Sequence, residues 1–586
     1  MYILGISCYY HDASAALLKD GIIVAAAQEE RFTRKKHDSS FPLNAIRYCL
    51  ESEGIGIDAI QYVGFYEKPL LKFERVLYQH FEMFPRSLKT FISSVPSWIN
   101  EKLRVPRMIR KRLKYGGPIF FIEHHLAHAA SSFLISPFEK AAIVTVDGVG
   151  EWTTTAFGMG DSCDIKLMKE IRFPHSLGLL YSAITAYLGF SVNNSEYKVM
   201  GLSAHGLMDK AQNPYYGKLC KVMDIKEDGS FRMDMDYFIY HWADRMPSQK
   251  LCELLGGPVR KPEMEITKRH KDIAAALQLI FEEALTKILR HAYKITACDN
   301  LVMAGGCGLN SVFNGKILRD TPFKNIWIQP DSGDGGTSIG AASYIYHTIL
   351  GNKRNFILAN AYLGPVYSDN KIRSFLDEHS IVYSEFSGRE SLIADVARLI
   401  CENKVVGWFQ GRMEWGPRAL GARSILANPQ NPDAQELLNT KVKHREKFRP
   451  FAPAVCREDA QIYFECDQSI PAPTDFMLMV YPVRKAWRER IPSVTHVDGS
   501  GRLQTVNRKE SPLYYDLIKE VEKRAGIPIV INTSFNIRGE PIVCSPYDAY
   551  KCMMGTGIDY LVMEYFLIKR ENNLAHAWDS EKYAND

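Results

Sequence analysis

The chain has 586 residues, 46% of them hydrophobic and 24% charged, with a formal net charge of +5. That length exceeds a single hydrophobic core, so two or three folded domains are expected, and the composition is that of an ordinary globular protein. The small positive charge accommodates anionic substrates but gives no support to a nucleic-acid partner. Twelve scattered cysteines without a Cys-x-x-Cys pair argue against a disulfide framework or a cysteine zinc site, and point to a reducing, cytoplasmic setting.

Taken in chain order, residues 2–6 read as a strand and lack the basic flank of a signal peptide. Apolar runs at 22–27, 142–146 and 301–304 are likewise aliphatic and bounded by turn residues, as buried strands are. The uncharged segment 173–195 carries His175, Ser182, Thr185, Asn193 and Asn194. Its apolar part falls short of the ~20 residues a membrane span needs, so a buried helix is expected and no membrane association. Ile273, Leu277, Ile280, Phe281, Ala284, Leu285 and Ile288 recur at helical spacing and predict a long amphipathic helix. A helix near 339–350 ends at a polar turn, 351–355, which sets the expected domains at 1–360 and 361–586. A second α/β block follows, with strand-like runs at 405–409 and 527–531.

Three strand-to-turn junctions in the first domain carry chemistry. The first displays His11, Asp12 and Ser14; the second follows Asp147 with Gly148 and Gly150; the third is Gly305-Gly306-Cys307-Gly308-Leu309-Asn310. Glycine there lets backbone N–H groups approach an anion, and three such turns in one domain predict a nucleotide cleft. On a helix, His124 and His128 share one face at a spacing that lets two imidazoles bind one ion, and Asp147 and Asp334 offer carboxylates. Two histidines with carboxylates suit Fe(II), with Mn and Zn as alternatives.

The pair His124/His128, the turn Gly305-Gly306 with Asn310, and the late Asp334 resemble the actin-type ATPase fold of the tRNA threonylcarbamoyl-transferase superfamily. The turn departs from that pattern at Cys307, which is given no role.

The second domain concentrates cations among glycines and aromatics: Arg412, Arg418 and Arg423 in 411–424, then Lys443, Arg445 and Arg449 in 441–450. Arginine forks match phosphate oxygens bidentately, so a phosphate pocket is expected in preference to a solvated strip. The stretches Gly416-Pro417-Arg418-Ala419-Leu420, Phe448-Arg449-Pro450-Phe451 and Asn532-Thr533-Ser534-Phe535-Asn536, with the opening 28–37, resemble the nodulation and antibiotic O-carbamoyltransferases over nearly the whole chain. The resemblance implies a YrdC-like α/β second domain that makes carbamoyl adenylate from ATP (with Mg2+) and carbamoyl phosphate. It implies an actin-like first domain that passes the carbamoyl group to a hydroxyl of a small-molecule natural product. It places Arg418, Arg423, Lys443, Arg449, Arg502, Asn532 and Ser534 around carbamoyl phosphate and ATP, and His124, His128, Asp147 and Asp334 around the metal.

Catalytic roles are expected for Arg418 and Lys443, with Asp12 or His11 as general base. Glu196 and Lys198 are expected on the nucleotide, with Gly148, Gly305, Gly306 and Asn310. Tyr66, Phe73, Tyr78, Phe81 and Phe84 mark the segment 65–118 as a place for acceptor contacts, with an amphipathic packing face as the equal alternative. Two rival functions are a tRNA-modifying enzyme using the cations of 101–114, and a nucleotide-gated binding module without catalysis.

Overall fold

The computed structural model describes residues 1–446, 448–467 and 469–573. The chain forms two compact units. The first comprises 1–26 and 39–358; the second comprises 27–38 and 359 onward. The early segment 27–38, placed in the first domain on sequence grounds, is therefore part of the second.

The first unit contains two five-stranded sheets of the same design. In one, strand Tyr2–Ser7 pairs antiparallel with Ser14–Lys19 and parallel with Ile60–Phe65, which pairs parallel with Ile119–Phe121; Ile22–Gln28 lies outermost. In the other, Lys140–Val146 pairs antiparallel with Thr153–Asp161 and parallel with Asn300–Ala304, which pairs parallel with Asn325–Ile328; Asp164–Arg172 lies outermost. A central strand with a hairpin on one side and two parallel strands on the other, built twice, is the duplicated plan of the actin-type ATPase fold. The aliphatic runs read from sequence fall in these strands, because strands flanked on both faces need continuous apolar residues.

Helix Lys268–Thr296 confirms the periodic stretch around 273–288, and its apolar stripe is buried from Ile273 to Ala292. Thr267 and His270 cap its start reciprocally. Two further helices, His124–Phe133 and Thr337–Tyr344, approach so closely that a Cβ on Gly340 would stand 1.9 Å from the carbonyl oxygen of Ala127. Glycine is the condition for that approach, and it brings the histidine helix beside the turn bearing Asp334.

The second unit is a nine-stranded mixed sheet. Its order, by first residue, is 383, 566, 560, 406, 423, 529, 452, 500, 479. Helices Arg389–Cys401 and Pro512–Ala525 bury one face of it, with Trp408, Tyr514, Leu517 and Val530 at the centre. Among the described residues no helix is long and apolar enough to cross a membrane.

Candidate functional site

In the first unit, side chains from four segments distant in sequence converge. His124 and His128 stand one turn apart on one helix, with their Nε2 atoms 3.1 Å apart. Asp147 leaves the end of strand Lys140–Val146 and lies 3.1 Å from His124 Nε2. Asp334 opens the turn before helix Thr337–Tyr344 and lies 3.6 Å from His124 Nε2 and 3.5 Å from His128 Nε2. His11, at the tip of the first hairpin, approaches Asp334 at 3.7 Å and hydrogen-bonds Asp12 at 3.0 Å. Asp12 adopts a left-handed backbone with φ of 52°, a conformation that Asp tolerates better than most residues and that often marks a functional turn.

The hydrogen bonding of this cluster is incomplete. Asp334 is 1% exposed, yet neither carboxylate oxygen has a hydrogen-bond partner among the described residues. His124 and His128 are as deeply buried, and their Nδ1 atoms are also unpartnered. Buried polar groups are ordinarily satisfied, and exceptions call for a missing ion or water. One donor atom from each of His124, His128, Asp147 and Asp334 lies within 4.8 Å of the others. Ligands bonded to one divalent ion at about 2.0–2.2 Å stand ~3–4 Å apart, so the donor set fits a metal in type and in spacing.

Charges are mutually adjusted. Burial opposes the charge on His11, but Asp334, Asp12 and Asp147 outweigh it and hold the imidazolium up to about 10. Burial likewise opposes the carboxylate of Asp147, and the histidines overcome it, keeping the group well below its ordinary value. Glu151, not singled out in the sequence, accepts the N–H of His124 at 3.1 Å through both carboxylate oxygens and the N–H of Lys68 at 2.8 Å. It thereby places a negative charge at the N-terminus of the histidine helix. Its signal was its position four residues beyond Asp147.

The glycine turn lies against Asp147, whose Oδ1 accepts the Gly306 N–H at 2.9 Å. Gly305 has φ of +94°, and a Cβ there would meet the Val146 carbonyl. A Cβ on Gly148 would touch only the Leu179 side chain, at 4.0 Å, and its carbonyl accepts the Ser176 hydroxyl at 2.7 Å. Glu196 accepts from Ser182 Oγ and the Asn193 N–H; burial, with lesser help from Asp147 and Glu196, pushes the Cys307 thiol up. Lys198 is buried on the same helix, with its ammonium 5.8 Å from the Phe190 ring. Asn310 differs from its expected role. Its side chain caps the next short helix through the Phe313 N–H and pairs reciprocally with Gln278, so its amide is committed to the scaffold.

The second unit places its cations otherwise. Arg423 is fully buried; its two terminal nitrogens donate to the carbonyls of Gln410, Gly411, Ala422 and Pro365, and its guanidinium stacks 3.6 Å from the Phe409 centroid. That commitment leaves it bracing the loop, not reaching an anion as expected. Glu414, the one acid in 411–424, accepts the N–H groups of Leu420, Ala422 and Arg423 on a single oxygen at 2.7, 2.7 and 3.1 Å. Asn532 donates to the Ala419 carbonyl and to Gln504, and Gln504 donates to the Leu420 carbonyl. These clamps fix the turn carrying Arg418, which is half-buried. Arg502 lies two residues before Gln504 on one strand and so shares its face.

Lys443 is 2% exposed and donates to the backbone and hydroxyl oxygens of Ser534 and to two oxygens of Asn536. Burial, with Arg445 nearby, lowers its pKa well below that of an ordinary lysine. Arg449 and Arg538 flank Glu446 at 3.6 and 3.7 Å, and Arg445 donates to Asn439. The segment 27–38 belongs here: Arg31 donates to the Gly416 carbonyl and Arg34 to those of Pro541 and Ile542.

Two family models match the chain, one described as carbamoyltransferase N-terminus over 2–343 and one as carbamoyltransferase C-terminus over 397–570. The chain is 45% identical to an uncharacterized protein of Synechocystis, covering 97% of each. It is 35% identical to the nodulation protein NolNO of Sinorhizobium fredii, covering 97% of this chain and 80% of that one. It is also 35% identical to a nodulation protein U of Rhizobium fredii, covering 90% and 89%.

Proposed function

The chain belongs to the carbamoyltransferase family, and on that premise we propose that it is an ATP-dependent O-carbamoyltransferase acting on a hydroxyl of a small-molecule natural product. The observation that carries the reading is the buried, under-satisfied cluster of His124, His128, Asp147 and Asp334. In the second unit, carbamoyl phosphate, ATP and water give carbamoyl adenylate, pyrophosphate and phosphate. Arg418, Arg449 and Arg502 serve as the forks that receive phosphate oxygens, because charge-assisted pairs of this kind neutralise the anions that must approach one another. Lys443, Asn532 and Ser534 hold the walls of that pocket in place.

In the first unit, the acceptor oxygen attacks the carbamoyl carbon, the carbon–oxygen bond to AMP breaks, and the hydroxyl proton leaves. His124, His128, Asp147 and Asp334 would hold a divalent ion, Fe(II) by donor type, which supplies positive charge against developing oxyanions. Asp12, hydrogen-bonded to His11, takes the acceptor proton at its carboxylate. Gly148, Gly305 and Gly306 line the nucleotide with backbone, and Glu196 and Lys198 contact its ribose and phosphate.

The deciding experiment is pyrophosphate release from ATP by the purified full chain, with and without carbamoyl phosphate and Fe(II). Release that requires carbamoyl phosphate is expected; its absence from protein that binds ATP overturns the adenylation half. For Asp12→Asn we expect intact pyrophosphate release with carbamoyl transfer reduced ~100-fold or more, and unchanged transfer would remove the aspartate from the mechanism.

A further inference from the structure

Helix Pro69–Glu82 is inverted relative to an ordinary surface helix. It buries Lys72, Arg75 and His80, while Leu70 and Phe81 are each 74% exposed. Lys72 is answered by Glu67 at 2.5 Å, with its ammonium 4.9 Å from the Tyr10 ring. Arg75 has no such answer. It is 6% exposed, its Nε is buried without a hydrogen-bond partner, and it forms no ion pair among the described residues. Its guanidinium rests 4.8 Å from the centroid of Phe173.

A buried charge without a partner costs several kcal/mol after relaxation, and a cation–π contact returns only about 1–2. The shortfall is what an incoming anion would relieve. The location is also informative. Arg75 interacts electrostatically with Tyr10, Glu67 and Glu151. Lys72, three residues before Arg75 on the same helix, has its ammonium 4.9 Å from the Tyr10 ring. That ring's centroid lies 4.6 Å from that of His11, itself 3.7 Å from Asp334, so this face of the helix adjoins the histidine–aspartate cluster. The nearby carboxylates are already engaged: Glu67 with Lys72, and Glu151 with the backbone of Lys68 and His124.

We propose that Arg75 anchors an oxyanion subsite beside the cluster, taking a phosphate or carboxylate group of a reactant that enters the first unit. The subsite deepens the proposed transfer reaction and rests on it for the reactant's identity, though not for the anion chemistry. The anion has two sources, the nucleotide phosphate or a group carried by the acceptor, and both present the same oxygens to a guanidinium fork.

Thermal unfolding of the full chain tests this with inorganic phosphate and with AMP, on the wild type, Arg75→Met and Arg75→Lys. A ligand subsite predicts that Arg75→Met melts at or above the wild type without ligand, and that its phosphate affinity falls at least tenfold. Arg75→Lys should keep a weakened response. Stabilisation by AMP beyond equimolar phosphate, lost in Arg75→Met, assigns the group to the nucleotide; an Arg75-dependent response to phosphate alone assigns it to the acceptor. An Arg75→Met protein that melts lower yet keeps the full phosphate response overturns the proposal and leaves a packing arginine. Carbamoyl phosphate-dependent pyrophosphate release, assayed on the same proteins, reports separately on the adenylation reading.

Discussion

Both units leave some buried polar atoms unpartnered, Arg423 Nε and Glu414 Oε2 among them in the second, but they differ in how far their conspicuous polar residues are spent on the protein itself. In the first, buried groups are left short of partners: both oxygens of Asp334, the Nδ1 atoms of His124 and His128, and the Nε of Arg75. In the second, several of the cations most conspicuous in sequence are spent on the protein itself. The terminal nitrogens of Arg423 go to four carbonyls, and Lys443 is ringed by oxygens of Ser534 and Asn536. A charged residue beside glycines can be either a ligand or a brace. Whether its hydrogen bonds are already made is what separates the two.

The largest expected effect is on the under-satisfied side. His128→Ala should lower bound divalent metal, measured by elemental analysis, by more than tenfold and carbamoyl transfer by about 1,000-fold, roughly the weight of one strong electrostatic contributor. Its fold should survive, because the residue removed was not serving the scaffold. Full metal content in that variant would break the comparison.

Next is the contrast within one loop. Arg423→Ala should lose roughly 3–5 kcal/mol of stability in denaturant melts, as removal of a buried, bonded charge does. Arg418→Ala should raise the KM for carbamoyl phosphate about tenfold or more, the loss of one charge-assisted pair. The opposite pattern would exchange brace and ligand. Glu414→Gln should fall between them. Its carboxylate holds three N–H groups of the turn, so both stability and the KM should shift, the latter by about fivefold for a loss of ~1 kcal/mol.

A pH dependence separates the two units. His270 accepts the Thr267 N–H on Nδ1 at 3.1 Å, and burial, with Arg269 and Arg260, lowers its pKa to about 4. A histidine depressed below its unfolded value of ~6.5 must lose a proton to fold in mild acid. The stability it contributes is therefore complete above pH ~6.5 and is lost as pH falls toward 4. On the order of 2 kcal/mol should disappear across that window from the first unit and be absent from His270→Gln, followed by hydrogen exchange in helix Lys268–Thr296. Equal acid sensitivity in the variant would assign the loss elsewhere.

Much of this was legible in the sequence, because periodicity and residue type are local properties. The aliphatic runs became strands, the stripe from Ile273 to Ile288 became a long buried helix face, and His124 and His128 share a helix face as their spacing requires. The long specific motifs also identified the family before any fold was described. What the sequence could not supply was distance between segments and the state of each hydrogen bond. The close crossing at Gly340 set Asp334 beside the histidines, and four carbonyls turned Arg423 from a binding candidate into a brace. Segment 27–38 joined the second unit, and Arg75 was turned inward on a helix whose composition gave no warning. Those outcomes depend on which groups meet after the chain has closed on itself. Linear order does not encode that, because satisfaction of a buried charge is a property of its neighbours in space.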